Sequence, residues 1–269
     1  MEVSLSGRGL FLFLFLAAFA GLVSCGNRYD LSTERGRQSR IDDANFHLSK
    51  GECGAAAEAI DPLYNSTYVN DEVRIIKASA VACNAHYNLL TFVGNIAGVS
   101  NYFQAMAKSL TNTTGDGARQ SMYDAVDVLT QSGAVLNASQ RSASVNTYMV
   151  FLQFGVISAI IRNYGNPSST GARGANLIYD ADGANPSPEM SDIDACALAA
   201  AFSHISDSMS NSNLSDSDTK ALNSSMNSVC VSAGFSSCAV LSRDRTSCNG
   251  VNANSVNAKS AVTGVNASW

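Results

Sequence analysis

The sequence predicts an all-α fold: antiparallel helical hairpins packed around a central apolar helix and stapled by disulfides. Three observations predict it. Ile76, Ala80, Cys83, Tyr87 and Leu90 recur at steps of three and four, one face of a helix. The run Tyr148-Met149-Val150-Phe151-Leu152-Gln153-Phe154-Gly155-Val156-Ile157 is apolar on nearly every side, as a helix is when others pack all round it. Cysteines 53 and 83, and again 196 and 230, lie at nearly equal distances from the loops expected near residues 68 and 213, as partners across a helical hairpin do.

The first element is not part of the fold. An uninterrupted apolar run from Leu10 to Ala20 follows a short segment carrying Arg8, too short for a stable membrane span and of the length of a secretory h-region. It closes on Leu22-Val23-Ser24-Cys25, followed by Gly26 and Asn27. This stretch resembles the lipobox of bacterial lipoproteins. The resemblance implies a signal peptide over residues 1–24, cleavage before Cys25, and a diacylglyceryl group on the Cys25 thiol with further acylation such as palmitate. Gly26, in place of the aspartate that marks inner-membrane retention in enteric-type lipoproteins, implies the outer membrane. On that reading the chain is exported, tethered through Cys25 and housed in the oxidising envelope.

Removing residues 1–24 leaves 245 of the 269 residues, enough for one large domain or two modest ones. It removes one acid and one base, so the net charge stays at -5. Charged residues are only 14 % and the two signs are interspersed, so no basic stripe offers itself to nucleic acid.

Residues 25–40 lack apolar periodicity and read as a flexible tether. A helical-hairpin domain is expected over 41–163. Its helices are 42–50, 55–64 (with Pro62 near its end), 71–90, 96–110, 117–136 and 142–163. Asp71-Glu72 and Asp42-Asp43 stand where helix starts favour negative charge. Residues 164–190, with Asn166-Pro167, Gly171, Gly174, Gly183, Pro186 and Pro188, read as a long Gly/Pro loop. Residues 191–248 form a C-terminal hairpin of helices 192–209 and 217–231. Residues 249–269, rich in Asn, Ser, Val, Ala and Gly, read as a flexible tail.

Gly51, Cys53 and Ala56, with Ile60 and Leu63 beyond them, match the turn glycine and the small and apolar positions of a repeat helix. The segment from Gly51 to Leu90 thereby resembles tetratricopeptide-type repeats, with Phe46 as the large aromatic of the first helix. The resemblance implies a helix-turn-helix stack and a protein-binding scaffold. No second full copy follows at a period of about 34 residues.

With Cys25 set aside, six cysteines remain: Cys53, Cys83, Cys196, Cys230, Cys238 and Cys248. An even number in an exported chain predicts disulfides. Hairpin symmetry pairs Cys53 with Cys83 and Cys196 with Cys230, which leaves Cys238 for Cys248; other pairings among the last four stay open. The rival reading is a zinc site built from Cys83 and His86 with Cys53 and His47, disfavoured by export and by the lack of a Cys-x-x-Cys pair. Asp180-Ala181-Asp182-Gly183 is the opening of a calcium loop, but Ser191 holds the twelfth position where a glutamate belongs, so turn chemistry is expected.

Catalytic patterns are absent. There is no Gly-x-Ser-x-Gly elbow, Gly115-Asp116-Gly117 is a lone Gly-x-Gly, and His47, His86 and His204 fall within expected helices with no nucleophile motif beside them. The expectation is a non-enzymatic lipoprotein without cofactor or metal, binding another envelope protein. The alternative is a small-ligand or solute-binding accessory of an envelope transport system.

Overall fold

The computed structural model describes residues 29–87, 92, 101–110, 116–131, 137–180, 189–214, 217–248 and 250–269. The signal region, Cys25, and the expected helical stretches at 88–90, 96–100 and 132–136 lie outside the described residues. So does the 181–188 part of the Gly/Pro loop.

The described chain is helical. Its elements are α1 (Glu34–Ser49), α2 (Cys53–Tyr64), α3 (Asp71–Cys83), α4 (Tyr102–Ser109), α5 (Asp116–Gln131), α6 (Ala143–Gly165), α7 (Asp192–Ser210), α8 (Ser217–Ser232) and α9 (Ala253–Ser268). Short 3-10 turns cover Ala138–Gln140 and Cys238–Val240. Most starts are set by short polar caps. Thr33, Asn70, Asn101, Ser142 and Ser191 each turn a side-chain oxygen onto a first-turn N–H of the helix that follows. Asn252 and Ser255 form a reciprocal capping box at α9.

Two apolar clusters hold the helices. The smaller joins Ile41 and Ala44 of α1, Ala59, Ile60 and Leu63 of α2, and Val73 and Ile76 of α3. The larger runs from Ala78 on α3 through α4 to α9. Helix α6 packs against α3, α4, α5 and α7, and α7 packs in turn on α8 and α9. By length and composition α6 could cross a membrane, yet 78 % of its most apolar window is buried against other helices.

Three expectations need correction. Residues 34–40 belong to α1 rather than to a tether. The Thr33 cap and the burial of Ile41 and Ala44 stabilise a turn whose own side chains carry no apolar rhythm, and Asp42-Asp43 therefore sit mid-helix. Helix α3 stops at Cys83, where three turn residues follow and His86 takes a left-handed φ of 53°. The third correction is the tail. Residues 253–268 form α9, with Ala258, Ala261, Val262 and Val265 buried along one stripe against α7 and α8.

Helix α9 also holds the Gly/Pro segment in place. Asn266 accepts from Leu177 N at 2.9 Å and donates to Leu177 O at 2.7 Å, while Arg173 donates to the Asn266 carbonyl. Trp269 Nε1 donates to Gly171 O at 2.9 Å. Gly171 has a φ of 84° and sits so close to α4 that a β-carbon would lie 2.2 Å from Gln104 O, so the turn there requires glycine.

Candidate functional site

The chemistry that the structure assembles is a polar layer along α7, between α5, α6 and the segment 241–248. At the start of α7 the carboxylate of Asp194 is 4 % exposed. It accepts Tyr123 OH from α5 at 2.6 Å and Tyr164 OH from α6 at 2.5 Å, and it pairs with Arg119 of α5 at 3.2 Å. Burial first, and the neighbouring carboxylate with it, pushes both phenols up, so the two tyrosines stay protonated donors. The cluster ties three helices together around one satisfied buried charge.

Near the other end of α7, buried Asn146 donates from its amide to Ala138 O, Arg141 O and Asn211 O. Arg141 reaches Asn146 Oδ1 at 2.9 Å and Ser208 Oγ at 2.8 Å. Burial lowers the Arg141 guanidinium to about 10, which leaves it charged at neutral pH.

Between these clusters, Tyr123, Gln153, His204, Arg243 and Arg245, with Val126 and Val156, line a recess of about 30 Å³. Arg245 forms a bidentate pair with Asp127 of α5 at 2.5 and 2.6 Å, and Arg243 pairs with Asp207 of α7. His204 meets Arg243 O through Nε2 at 3.2 Å, and its Nδ1 has no hydrogen-bond partner. Burial, with Arg141 and Arg243 close by, pushes the imidazole down to about 3. It is neutral at physiological pH and far from the range of a general base poised near neutrality. The recess itself has room for a water molecule rather than a substrate.

The predicted cysteines come together as three bonds. Cys53 joins Cys83 across the α2–α3 hairpin with a Cα separation of 5.5 Å, the expected pairing. The other two correct the expectation: Cys196 joins Cys248, and Cys230 joins Cys238. After α8 the chain turns sharply at Gly234, where φ is 90°, and brings Cys238 back onto Cys230. The following segment then crosses α7, held by the Arg243 and Arg245 pairs, and delivers Cys248 to Cys196. Helical symmetry about residue 213 sees neither contact.

With the Cys53 and Cys83 sulfurs bonded to each other, neither is left as a zinc ligand. His47 instead meets Glu52 at 2.6 Å, and His86 is exposed in the turn after α3 rather than within a helix. Among the described residues no group of three or more His, Cys, Asp or Glu converges on a metal position. Asp180, the opening residue of the calcium-like motif, accepts from Lys259 at 3.0 Å while its N–H donates to Glu189. Asp182 and Gly183 lie outside the described residues.

No protein family, curated protein or solved structure matches this chain. The polar layer must therefore be read from its own geometry. Sequence reasoning missed Arg119, Tyr123, Tyr164, Asp194, Arg141, Asn146, Arg243 and Arg245. Asp194 carried a signal, but it is the ordinary one of an acid in a helix's first turn.

Proposed function

We propose that this protein is a lipid-anchored bacterial envelope lipoprotein, held in the outer membrane through Cys25, that serves as a non-catalytic scaffold or assembly accessory for another envelope protein. The observation that carries the reading is Leu22-Val23-Ser24-Cys25 at the end of an apolar run, with Gly26 after it. Two or more acyl chains, at about 0.8 kcal/mol per buried methylene, hold a protein at a bilayer with no other membrane contact. The anchor therefore leaves α6 free to act as the central helix of a soluble body.

The body suits a scaffold. Support comes from helices α1 to α3, which share an apolar cluster of their own and a disulfide across α2 and α3. Asp194 and Asp207 of α7 are paired internally with Arg119 and Arg243, and Asp127 of α5 with Arg245.

The test is in-cell crosslinking followed by pulldown of the lipidated protein. The proposal expects one envelope protein recovered in stoichiometric amount. Recovery of no protein partner across crosslinkers of different reach would overturn it.

A further inference from the structure

The three disulfides stand in different surroundings. Cys196, Cys230, Cys238 and Cys248 are each 5 % exposed or less. Cys53 and Cys83 both keep solvent-facing surface. A disulfide is exchanged by in-line attack of a thiolate on one sulfur, so access decides which of the three an external thiol meets first.

The more accessible bond is also asymmetric. Cys53 is the first residue of α2 and Cys83 the last residue of α3. No side chain caps the start of α2, and its first turn holds no acid. The carboxylate next in sequence, Glu52, is held by His47 at 2.6 Å. A helix start stabilises a thiolate and a helix end disfavours one, so the better leaving group is Cys53.

We propose that Cys53–Cys83 is a thiol-exchange site whose co-substrate is an accessible dithiol, and that Cys83 is the sulfur attacked. In the first step a thiolate of the dithiol bonds to Cys83 Sγ, and the electron pair of the broken bond leaves on Cys53 Sγ. In the second step the other thiol of the dithiol, losing its proton, displaces Cys83 from the mixed disulfide. Two electrons pass from the dithiol to this protein; the dithiol leaves as a disulfide, and Cys53 and Cys83 remain as thiols. The inference is independent of the scaffold reading, because it needs neither the anchor nor a binding partner for the helices.

The experiment uses the purified full chain without substitution. Glutathione is added in limiting amount, the reaction is stopped with acid, free thiols are alkylated, and peptides are mapped under non-reducing conditions. The expected result is that Cys53–Cys83 opens roughly tenfold or more faster than either buried bond, with glutathione on Cys83 and the alkyl label on Cys53. Equal rates for a buried pair, or an adduct mainly on Cys53, would overturn the proposal. A parallel reaction with dithiothreitol should oxidise one equivalent per chain while Cys196–Cys248 and Cys230–Cys238 stay intact. Reduction of Cys53–Cys83 only in denaturant would also overturn it.

Discussion

The indole of Trp269 lies against Gly165, the last residue of α6, so closely that a β-carbon on Gly165 would fall 2.2 Å from two ring carbons. The ring cannot simply slide away, since its N–H is spent on Gly171 O. This contact joins the end of α9 to the end of α6.

Gly165→Ala sets two effects against each other. Alanine raises helix propensity by less than about 1 kcal/mol, whereas overpacking a filled contact costs about 1–3 kcal/mol. The collision wins, and denaturant unfolding should report a less stable protein. In a Trp269→Ala background the same substitution should be neutral or slightly stabilising, and a double-mutant cycle reads the coupling directly. Additive effects would mean that the two residues do not touch.

Asp194→Asn should be among the most damaging substitutions of a polar residue. It removes the charge opposite buried Arg119 and puts an NH2 donor in place of one of the two oxygens that accept the tyrosine hydroxyls, and a loss of about 3–5 kcal/mol is expected. Tyr164→Phe removes one hydrogen bond to the carboxylate and should cost about 1.5–3 kcal/mol. Chemical denaturation of the two variants checks the order, and a milder effect for Asp194→Asn would contradict the described cluster.

His204 gives stability a pH dependence. Its native value of about 3 lies below the ordinary 6.5. Between those values the unfolded chain takes up a proton that the native state refuses, so the native state loses stability as pH falls. The full stability is present above about 6.5, and the slope is ~1.4 kcal/mol per pH unit for this one group. His204→Gln removes the term. The stability gap between the two proteins should therefore shrink as pH drops from 6.5 towards 3, measured by urea unfolding at fixed pH values. Parallel curves would mean that His204 titrates normally.

The two C-terminal disulfides should differ in worth. Cys196–Cys248 spans 52 residues and Cys230–Cys238 only 8. Chain-entropy arguments give about 4 kcal/mol for the first and about 2.5 kcal/mol for the second. Paired Cys→Ser variants, compared by midpoint of unfolding, should rank in that order. The reverse ranking would show that strain or residual unfolded-state structure outweighs loop closure.

What could be read in advance follows from where the information sits. The all-helical class was legible because Ile76 and Ala80 recur at a helical step and the run from Tyr148 to Ile157 is apolar on nearly every side, as a helix packed all round is. Helix α9 was missed although Ala258, Ala261, Val262 and Val265 carry the right spacing. Small side chains among Asn and Ser raise little hydrophobic contrast, and the stripe is buried only because α7 and α8 pack against it. Cys53–Cys83 was legible because a hairpin is local. Cys196–Cys248 was not, because its pairing depends on Arg243 and Arg245 finding Asp207 and Asp127, contacts that no local pattern announces. The polar layer was illegible for the same reason: Arg119, Tyr164 and Asp194 are ordinary residues until three helices bring them together.

Lipidation of Cys25 is the centre of the proposed function, because such an anchor would set the compartment, the redox state and the company that the helices keep. The direct measurement is metabolic labelling with a radioactive fatty acid in a bacterial host, comparing the natural sequence with Cys25→Ser and following both through membrane fractionation. The account predicts label and membrane retention for the natural sequence, and neither for Cys25→Ser. A Cys25→Ser protein that still takes up label and stays with the membrane would contradict it.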